Sequence, residues 1–136
     1  MLETLTSLVT TEERRALRDE VLAAYRHAYG SYLEHGYPWD ELKPLSCRGR
    51  KWTARVRGTL DDALGGNGLT MIDSLSMHAI VGDGQAFREA VEMIQRDFAS
   101  GVLSFDRDIP VSVFETSIRV LGGLVSGGQS CSEERC

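Results

Sequence analysis

The amino-acid sequence predicts an all-α fold, and two observations carry this prediction. Apolar residues recur at three- and four-residue spacing in four separate stretches, which is the spacing of one face of an α-helix. Glycine or proline follows each of the first three stretches, and most of the connections between stretches are short. Four helices joined in this way indicate antiparallel helical hairpins around one core.

Three helices are predicted before residue 100. Thr10 and Glu13 have the spacing of a capping box and begin a helix over residues 11–34, with Leu17, Val21, Ala24, Ala28 and Tyr32 at helical spacing. Residues 37–68 read as a long ordered loop with a short helical turn near 59–64. Helical spacing resumes at Leu69 and stops at residues 82–84 (GDG). A third helix is expected over 85–99, ended by Gly101.

The last predicted helix covers residues 111–126 and carries two stripes. Large apolar side chains form the stripe expected to face the core: Phe114, Ile118, Leu121 and Val125. The other stripe holds Glu115, Arg119, Gly122 and Ser126, and its glycine would let a ligand approach the backbone. Residues 127–136 have no apolar periodicity, so we expect a domain over residues 1–126 followed by a disordered tail over 127–136.

Composition limits the classes of function. A chain of 136 residues with 42% hydrophobic content has the size of one domain, and its net charge of −5 argues against nucleic acid as a partner. Residues 48–57 are locally basic around Trp52, and two interpretations are open, an RNA-binding element and a solvated loop. A solvated loop is favoured because Asp61 and Asp62 follow directly.

The three cysteines lack the spacing of a zinc site. No membrane span is expected, and residues 1–8 do not have the pattern of a secretory signal.

Several segments, in order, resemble a known family. They are HAYGSY at 27–32, WDELKPLS at 39–46, CRGR at 47–50, DDALG at 61–65, LTMIDSL at 69–75, FDRD at 105–108 and VFETSIRVLGGL at 113–124. Together they resemble the class I alpha-mannosidases, glycoside hydrolase family 47, and are most similar to the ER degradation-enhancing alpha-mannosidase-like branch. This resemblance implies a partial α/α barrel, about the first two helical hairpins of a seven-hairpin toroid. The sequence departs from the family pattern at residues 76–78 (SMH), where a second acid is lost, and after Ser126.

The resemblance also implies site residues. Glu115 matches the position of the family's general acid, and Asp73 matches an acid that the family places in the sugar pocket; Asp73 is read equally well as a helix-surface acid or the partner of a nearby base. Arg119, four residues after Glu115, can hold that carboxylate or bind a sugar hydroxyl. Read without the resemblance, Glu115 and Arg119 have the spacing of an ordinary helix-surface ion pair. Asp40 and Glu41 either grip a sugar or pin a loop against a helix end, and the second interpretation is favoured. The three histidines have no metal-ligand spacing, and residues 82–84 are read as a linker between helices.

By resemblance, the function is inverting hydrolysis of terminal alpha-1,2-linked mannose on N-glycans of misfolded glycoproteins in the endoplasmic reticulum lumen. The family also uses calcium, but the protein ligand for that ion and the catalytic base fall outside the matched segments. We therefore expect no metal ligand among the residues of this chain, and no activity from this chain alone. The alternatives are a non-catalytic glycan- or protein-interaction fragment and an incomplete gene product. Uncovered apolar helix faces would then lead to self-association.

Overall fold

The computed structural model describes residues 9–51 and 64–132, except for the side chains of 131 and 132. Its helices are α1 (Thr11–His35), α2 (Leu69–Val81) and α3 (Gly84–Ala99), followed by α4 (Val113–Glu115), a π-helical segment (Thr116–Leu121) and α5 (Gly122–Ser132). The last three follow one another without a break and are called the C-terminal helical run (113–132). Two strands of two residues each, β1 (Leu42–Lys43) and β2 (Arg48–Gly49), pair antiparallel. The all-α prediction is confirmed.

Residues 1–30 and 31–136 form two compact units, and the first contains most of α1. The capping box predicted at its start is present. The Thr10 backbone N–H donates to Glu13 Oε2 at 2.7 Å, and the Glu13 N–H donates to Thr10 Oγ1 at 3.1 Å. The hydrogen bond that the Glu13 carboxylate accepts from the Thr10 N–H lowers the pKa of Glu13. Leu17 and Val21, two of the apolar residues at helical spacing in α1, are exposed to solvent.

In the second unit, α2 is the central element and packs against both α3 and α5. Met71, Ile72 and Leu75 of α2 are buried, as are Phe87, Ala90 and Ile94 of α3. Both helices have the bounds that periodicity predicted to within one or two residues. A left-handed Gly82 ends α2, and the side chain of Asp83 caps α3 by accepting from the Ala86 N–H at 3.1 Å. Residues 82–84 are thus a linker between helices, as predicted.

The C-terminal helical run does not use the face that the sequence predicted for the core. Phe114, Ile118, Leu121 and Val125 are 50–68% exposed, and the buried positions are Val120, Gly123 and Gly127. A Cβ on Gly123 would lie 2.8 Å from the Ile72 carbonyl oxygen, and one on Gly127 would lie 3.2 Å from the Leu75 side chain. Close contact between helix backbones, made possible by glycine, therefore replaces the interdigitation of large side chains expected here.

Two features explain this error. The prediction assumed α-helical spacing throughout, whereas residues 116–121 form a π-helical segment, which changes the angular positions of the residues that follow it. The prediction also gave weight to large apolar residues and none to glycine. We call Gly123 and Gly127, with the α2 residues that they touch, the glycine seam. The four exposed residues are called the apolar stripe.

The expected tail is also corrected. Helix α5 continues to Ser132, so residues 127–132 are helical where the sequence predicted disorder. Gly127 contacts α2 and is buried, so tertiary contact rather than local propensity extends this helix. Residues 133–136, and most of the helical turn predicted near 59–64, lie outside the described residues.

The connection between α1 and α2 is an ordered loop in its described part, as predicted. The buried carboxylate of Asp40 organises it. Its oxygens accept from the backbone N–H groups of Gly66 at 2.7 Å, Asn67 at 2.9 Å and Leu69 at 3.1 Å. Because Leu69 is the first residue of α2, Asp40 caps that helix from 29 residues away in the chain. The interpretation that this segment pins a loop against a helix end is confirmed for Asp40.

Candidate functional site

Three side chains predicted for the site come together in the second unit. Asp73 lies in α2, Glu115 is the last residue of α4, and Arg119 lies in the π-helical segment. The Ser112 hydroxyl caps the helical run by accepting from the Glu115 N–H at 3.3 Å, which fixes where the run begins. The packing of α5 on α2 then brings Arg119 next to Asp73.

Arg119 bridges the two acids. Its Nε donates to Glu115 Oε2 at 2.6 Å, and its Nη1 donates to Asp73 Oδ2 at 3.0 Å. The hydrogen bond with Glu115, followed by that with Asp73, raises the pKa of Arg119, so this group stays charged. The Glu115 side chain is 19% exposed, whereas those of Asp73 and Arg119 are 41% and 45% exposed. The pair is thus more than an isolated surface ion pair, since a guanidinium from one helix holds carboxylates from two.

These residues line a cavity of about 370 Å³, which we call the candidate cleft. Among the described residues, Glu41, Leu64, Leu69 and Thr70 also line it. The cleft offers carboxylate oxygens as acceptors, one guanidinium as a donor and some apolar surface, a combination that suits a polyhydroxylated ligand. Gly122 and Ser126, placed on the same stripe as Glu115 by helical spacing, are not among the lining residues.

Glu41 lines the candidate cleft, a role that the sequence interpretation did not favour. Its carboxylate forms an ion pair with Arg50 Nε at 2.8 Å, and Arg50 directly follows β2. The neighbouring aromatic residues Tyr37 and Trp39 do not line this cleft and belong to a second groove. No local sequence signal identifies Glu41, because its position depends on the hydrogen bond by which Asp40 ties this segment to the start of α2, the helix that carries Asp73.

The histidines are structural or exposed, as expected. His78 of α2 is buried, and this burial, opposed by the charge of Asp83, lowers its pKa. His27 is exposed, and His35 lies 3.6 Å from Glu34. Within residues 9–51 and 64–132, no three His, Cys, Asp or Glu side chains are grouped closely enough to hold a metal ion. The described residues therefore offer no cluster of carboxylates of the kind that surrounds a calcium ion.

Comparison with known proteins adds a decisive observation to this geometry. The sequence pattern of glycosyl hydrolase family 47 matches residues 24–135. The chain belongs to glycosyl hydrolase family 47. The match includes Asp73, Glu115 and Arg119, and it extends past Ser126, where we expected the resemblance to end.

Curated members of family 47 agree with this assignment. The chain is 48% identical over 120 residues to human ER degradation-enhancing alpha-mannosidase-like protein 3, which covers 88% of the chain and 12% of the human protein. It is 43% identical over 122 residues to an alpha-mannosidase I of Arabidopsis thaliana, covering 90% of the chain and 17% of that protein. It is 40% identical over 119 residues to ER degradation-enhancing alpha-mannosidase-like protein 1 of Saccharomyces cerevisiae, covering 86% of the chain and 15% of the yeast protein. The chain thus spans less than a fifth of the length of each of these relatives, and the predicted family is confirmed.

Family membership also bears on the fold. The helical hairpin of α2 and α3, with α5 packed on α2, supplies the kind of unit from which the family's α/α barrel is built. No helix in the described part of the chain is both long and apolar enough to cross a bilayer.

Proposed function

We propose that this chain carries the proton-donor corner of an alpha-mannosidase that hydrolyses terminal alpha-1,2-linked mannose from N-glycans with inversion. The observation that supports this most directly is the bridge from Arg119 to Glu115 and Asp73 at one cleft, in a chain of family 47. The names of the human and yeast relatives favour a role in degradation of misfolded glycoproteins, and hence the endoplasmic reticulum lumen as the location.

In this mechanism Glu115 protonates the oxygen of the leaving group. Arg119 donates hydrogen bonds to sugar hydroxyls, which then compete with the Glu115 carboxylate for the guanidinium. Once it is released from Arg119, the Glu115 carboxyl group can carry the proton. Asp73 accepts from a hydroxyl and orients the ring. Inversion further requires a second carboxylate, about 6.5–9.5 Å from the acid, that activates water. By family resemblance the full domain supplies this base and uses calcium, so we propose that the 136-residue chain alone binds mannosides without hydrolysing them.

Binding is tested with alpha-1,2-linked mannobiose by saturation-transfer NMR on the full 136-residue chain. An Arg119→Gln variant should bind at least about tenfold more weakly, because charged hydrogen-bond donors contribute more than neutral ones. Glu92→Gln is the control, since Glu92 is exposed on α3 and does not line the cleft. Mannobiose binding that Arg119→Gln leaves unchanged would contradict the proposed site.

Catalysis is tested separately, as mannose release from a high-mannose glycan with added calcium. The chain and a Glu115→Gln variant should give the same background. Release by the parent chain above that of Glu115→Gln would show that the chain is active alone, which contradicts the proposed incompleteness and supports the role of Glu115.

A second property, self-association, is favoured by the apolar stripe. The residues Phe114, Ile118, Leu121 and Val125 are 50–68% exposed, so the C-terminal helical run presents four large apolar side chains to solvent. An apolar cavity of about 340 Å³, lined in part by Leu121 and Leu124, opens beside them. We propose that a second copy of this chain covers the stripe.

Light scattering after size-exclusion chromatography tests the association. The parent chain should show a mass that rises with concentration, and a Phe114→Ser/Leu121→Ser double variant should remain a monomer. Ile80→Ser is a matched control because Ile80 is exposed on α2, outside the stripe. A parent chain that stays monomeric across the concentration series would refute the proposal.

A further inference from the structure

A second concave surface of the same unit has a different character from the candidate cleft. It has a volume of about 760 Å³, and its main walls are His35, Tyr37, Trp39, Lys43, Arg48 and Lys51. We call it the basic groove. Among the residues that the structure describes, none lines both this groove and the candidate cleft, and no acid lines the groove.

The two cations from the hairpin are placed directly opposite one another. In the register of the strands, Lys43 of β1 pairs with Arg48 of β2. Directly opposed side chains in an antiparallel pair have Cβ atoms about 4.5–5.5 Å apart, and like charges in such a pair repel. In the part of the chain that the structure describes, neither Lys43 nor Arg48 lies within ion-pair distance of an acid, whereas the adjacent Arg50 is paired with Glu41. The chain as a whole carries a net charge of −5, so this cation pair is a local positive region on a negatively charged protein. An anion between the two side chains would remove the repulsion.

An aromatic wall lies next to the cation pair. The Lys51 Nζ lies 5.9 Å from the centre of the Trp39 ring. Gly49, the last residue of β2, has Trp39 directly against its α-carbon. A Cβ there would overlap with Trp39 Cδ1 and would lie 2.7 Å from the Gly36 carbonyl oxygen. The close contact with the glycine therefore fixes the indole against the hairpin, beside the residues that carry the cations.

We propose that the basic groove binds a phosphorylated sugar. The phosphate lies between Lys43 and Arg48, where the guanidinium supplies paired donors and the ammonium supplies a compact charge. The less polar face of the sugar ring rests on Trp39. A phosphate monoester fits better than a neutral sugar because the cation pair has no other counter-charge among the described residues. It is preferred to a long polyanion because, among the described residues, the cations that line the groove lie on one hairpin and directly after it.

The binding experiment uses tryptophan fluorescence of the full 136-residue chain carrying Trp52→Phe, so that Trp39 is the remaining indole. The probes are mannose 6-phosphate, mannose, inorganic phosphate and a single-stranded RNA, at low ionic strength. Mannose 6-phosphate should quench Trp39 and bind at least about tenfold more tightly than mannose or inorganic phosphate. Equal affinity for mannose would refute the phosphate contact, and equal affinity for inorganic phosphate would refute the ring contact. RNA that binds more tightly than mannose 6-phosphate would overturn the assignment in favour of a polyanion surface.

Two double variants identify the residues. Lys43→Gln/Arg48→Gln should weaken mannose 6-phosphate at least about tenfold, because each lost charged hydrogen bond corresponds to about one factor of ten. Arg14→Gln/Arg88→Gln makes the same change in net charge at exposed positions outside the groove and should leave the affinity unchanged. Equal weakening by both double variants would overturn the proposal, since it would indicate attraction by net charge alone. Far-UV circular dichroism checks that each variant is folded.

The two site proposals fail in distinguishable ways. Arg119→Gln should not affect the binding of mannose 6-phosphate, because Arg119 lines the candidate cleft and does not line the basic groove. Loss of mannose 6-phosphate binding in Arg119→Gln, with retention in the Lys43→Gln/Arg48→Gln variant, would place the ligand in the cleft and refute the groove.

Discussion

Replacing Gly123 with alanine tests whether the glycine seam sets the position of the C-terminal helical run. The added methyl group would lie 2.8 Å from the Ile72 carbonyl oxygen and 3.2 Å from both Ile72 Cγ2 and the Ile72 carbonyl carbon. A contact of 2.8 Å with a backbone atom cannot be relieved by rotating a side chain. Helix α5 must therefore move away from α2, and the contacts of both buried helix faces weaken.

The expected magnitude is the difference between two opposing effects. Alanine in place of a helical glycine stabilises the helix by about 1 kcal/mol. Overpacking costs about 1–3 kcal/mol, and we take about 3 because the obstructing atom is backbone. Gly123→Ala should therefore lower the free energy of unfolding by about 2 kcal/mol.

Gly128→Ala is the matched control, because no atom of the described residues lies within 4 Å of a Cβ at that position of the same helix. It should raise the free energy of unfolding by up to about 1 kcal/mol. Urea denaturation followed by circular dichroism at fixed protein concentration measures both variants. A Gly123→Ala chain as stable as Gly128→Ala would refute the seam, since the two would then differ only in sequence position.

Three further predictions concern caps and a buried base. Asp40→Asn should lower the free energy of unfolding by about 1.5–3 kcal/mol, measured by urea denaturation, because three backbone N–H groups lose a charged acceptor. Thr10→Ala should increase amide hydrogen exchange in the first turn of α1, with a cost of about 1 kcal/mol, and unchanged exchange there would contradict the cap. Burial lowers the pKa of His78, so below about pH 6.5 the unfolded chain binds a proton that the folded chain does not. The urea midpoint should fall as pH drops from 7.5 to 5.5 in the parent and stay level in His78→Gln; parallel curves would contradict this.

Much of this fold could be predicted from the sequence, because the relevant signals are local. The capping box of Thr10 and Glu13, the periodicity of α2 and α3, and the glycine stops at 82 and 101 each lie within one or two helical turns. The long-range contacts of the loop could not be derived in the same way. No pattern near Asp40 in the sequence indicates that its carboxylate accepts hydrogen bonds from backbone N–H groups of residues 66–69.

The C-terminal helical run shows where sequence patterns fail. Its apolar stripe has the appearance of a core face, yet the buried face is the one with glycines at 123 and 127. Glycine adds no hydrophobicity to a pattern, so its role becomes visible only when the Ile72 carbonyl of the facing helix is known. The two-residue strands were missed for a similar reason, since a hairpin this short has no periodicity to detect.

The candidate site could be predicted from the sequence in part. The four-residue spacing of Glu115 and Arg119 predicts their contact, but Asp73 lies 46 residues from Arg119 and entered only through family resemblance. Glu41 entered only through the structure, because its contribution depends on where Asp40 anchors the loop. The roles of these residues in binding and catalysis stay predictions.

The apolar stripe has one consequence for the chemistry of the cleft. Phe114 precedes Glu115 in the chain, and Ile118 precedes Arg119, so a protein surface that covers the stripe also comes to lie beside the charged pair. Covering it would remove water from the edge of the cleft and lower the local dielectric constant, which strengthens every charge–charge interaction there. The electrostatic strength of the Glu115–Arg119 pair therefore depends on what occupies the neighbouring apolar surface as well as on the 2.6 Å contact itself.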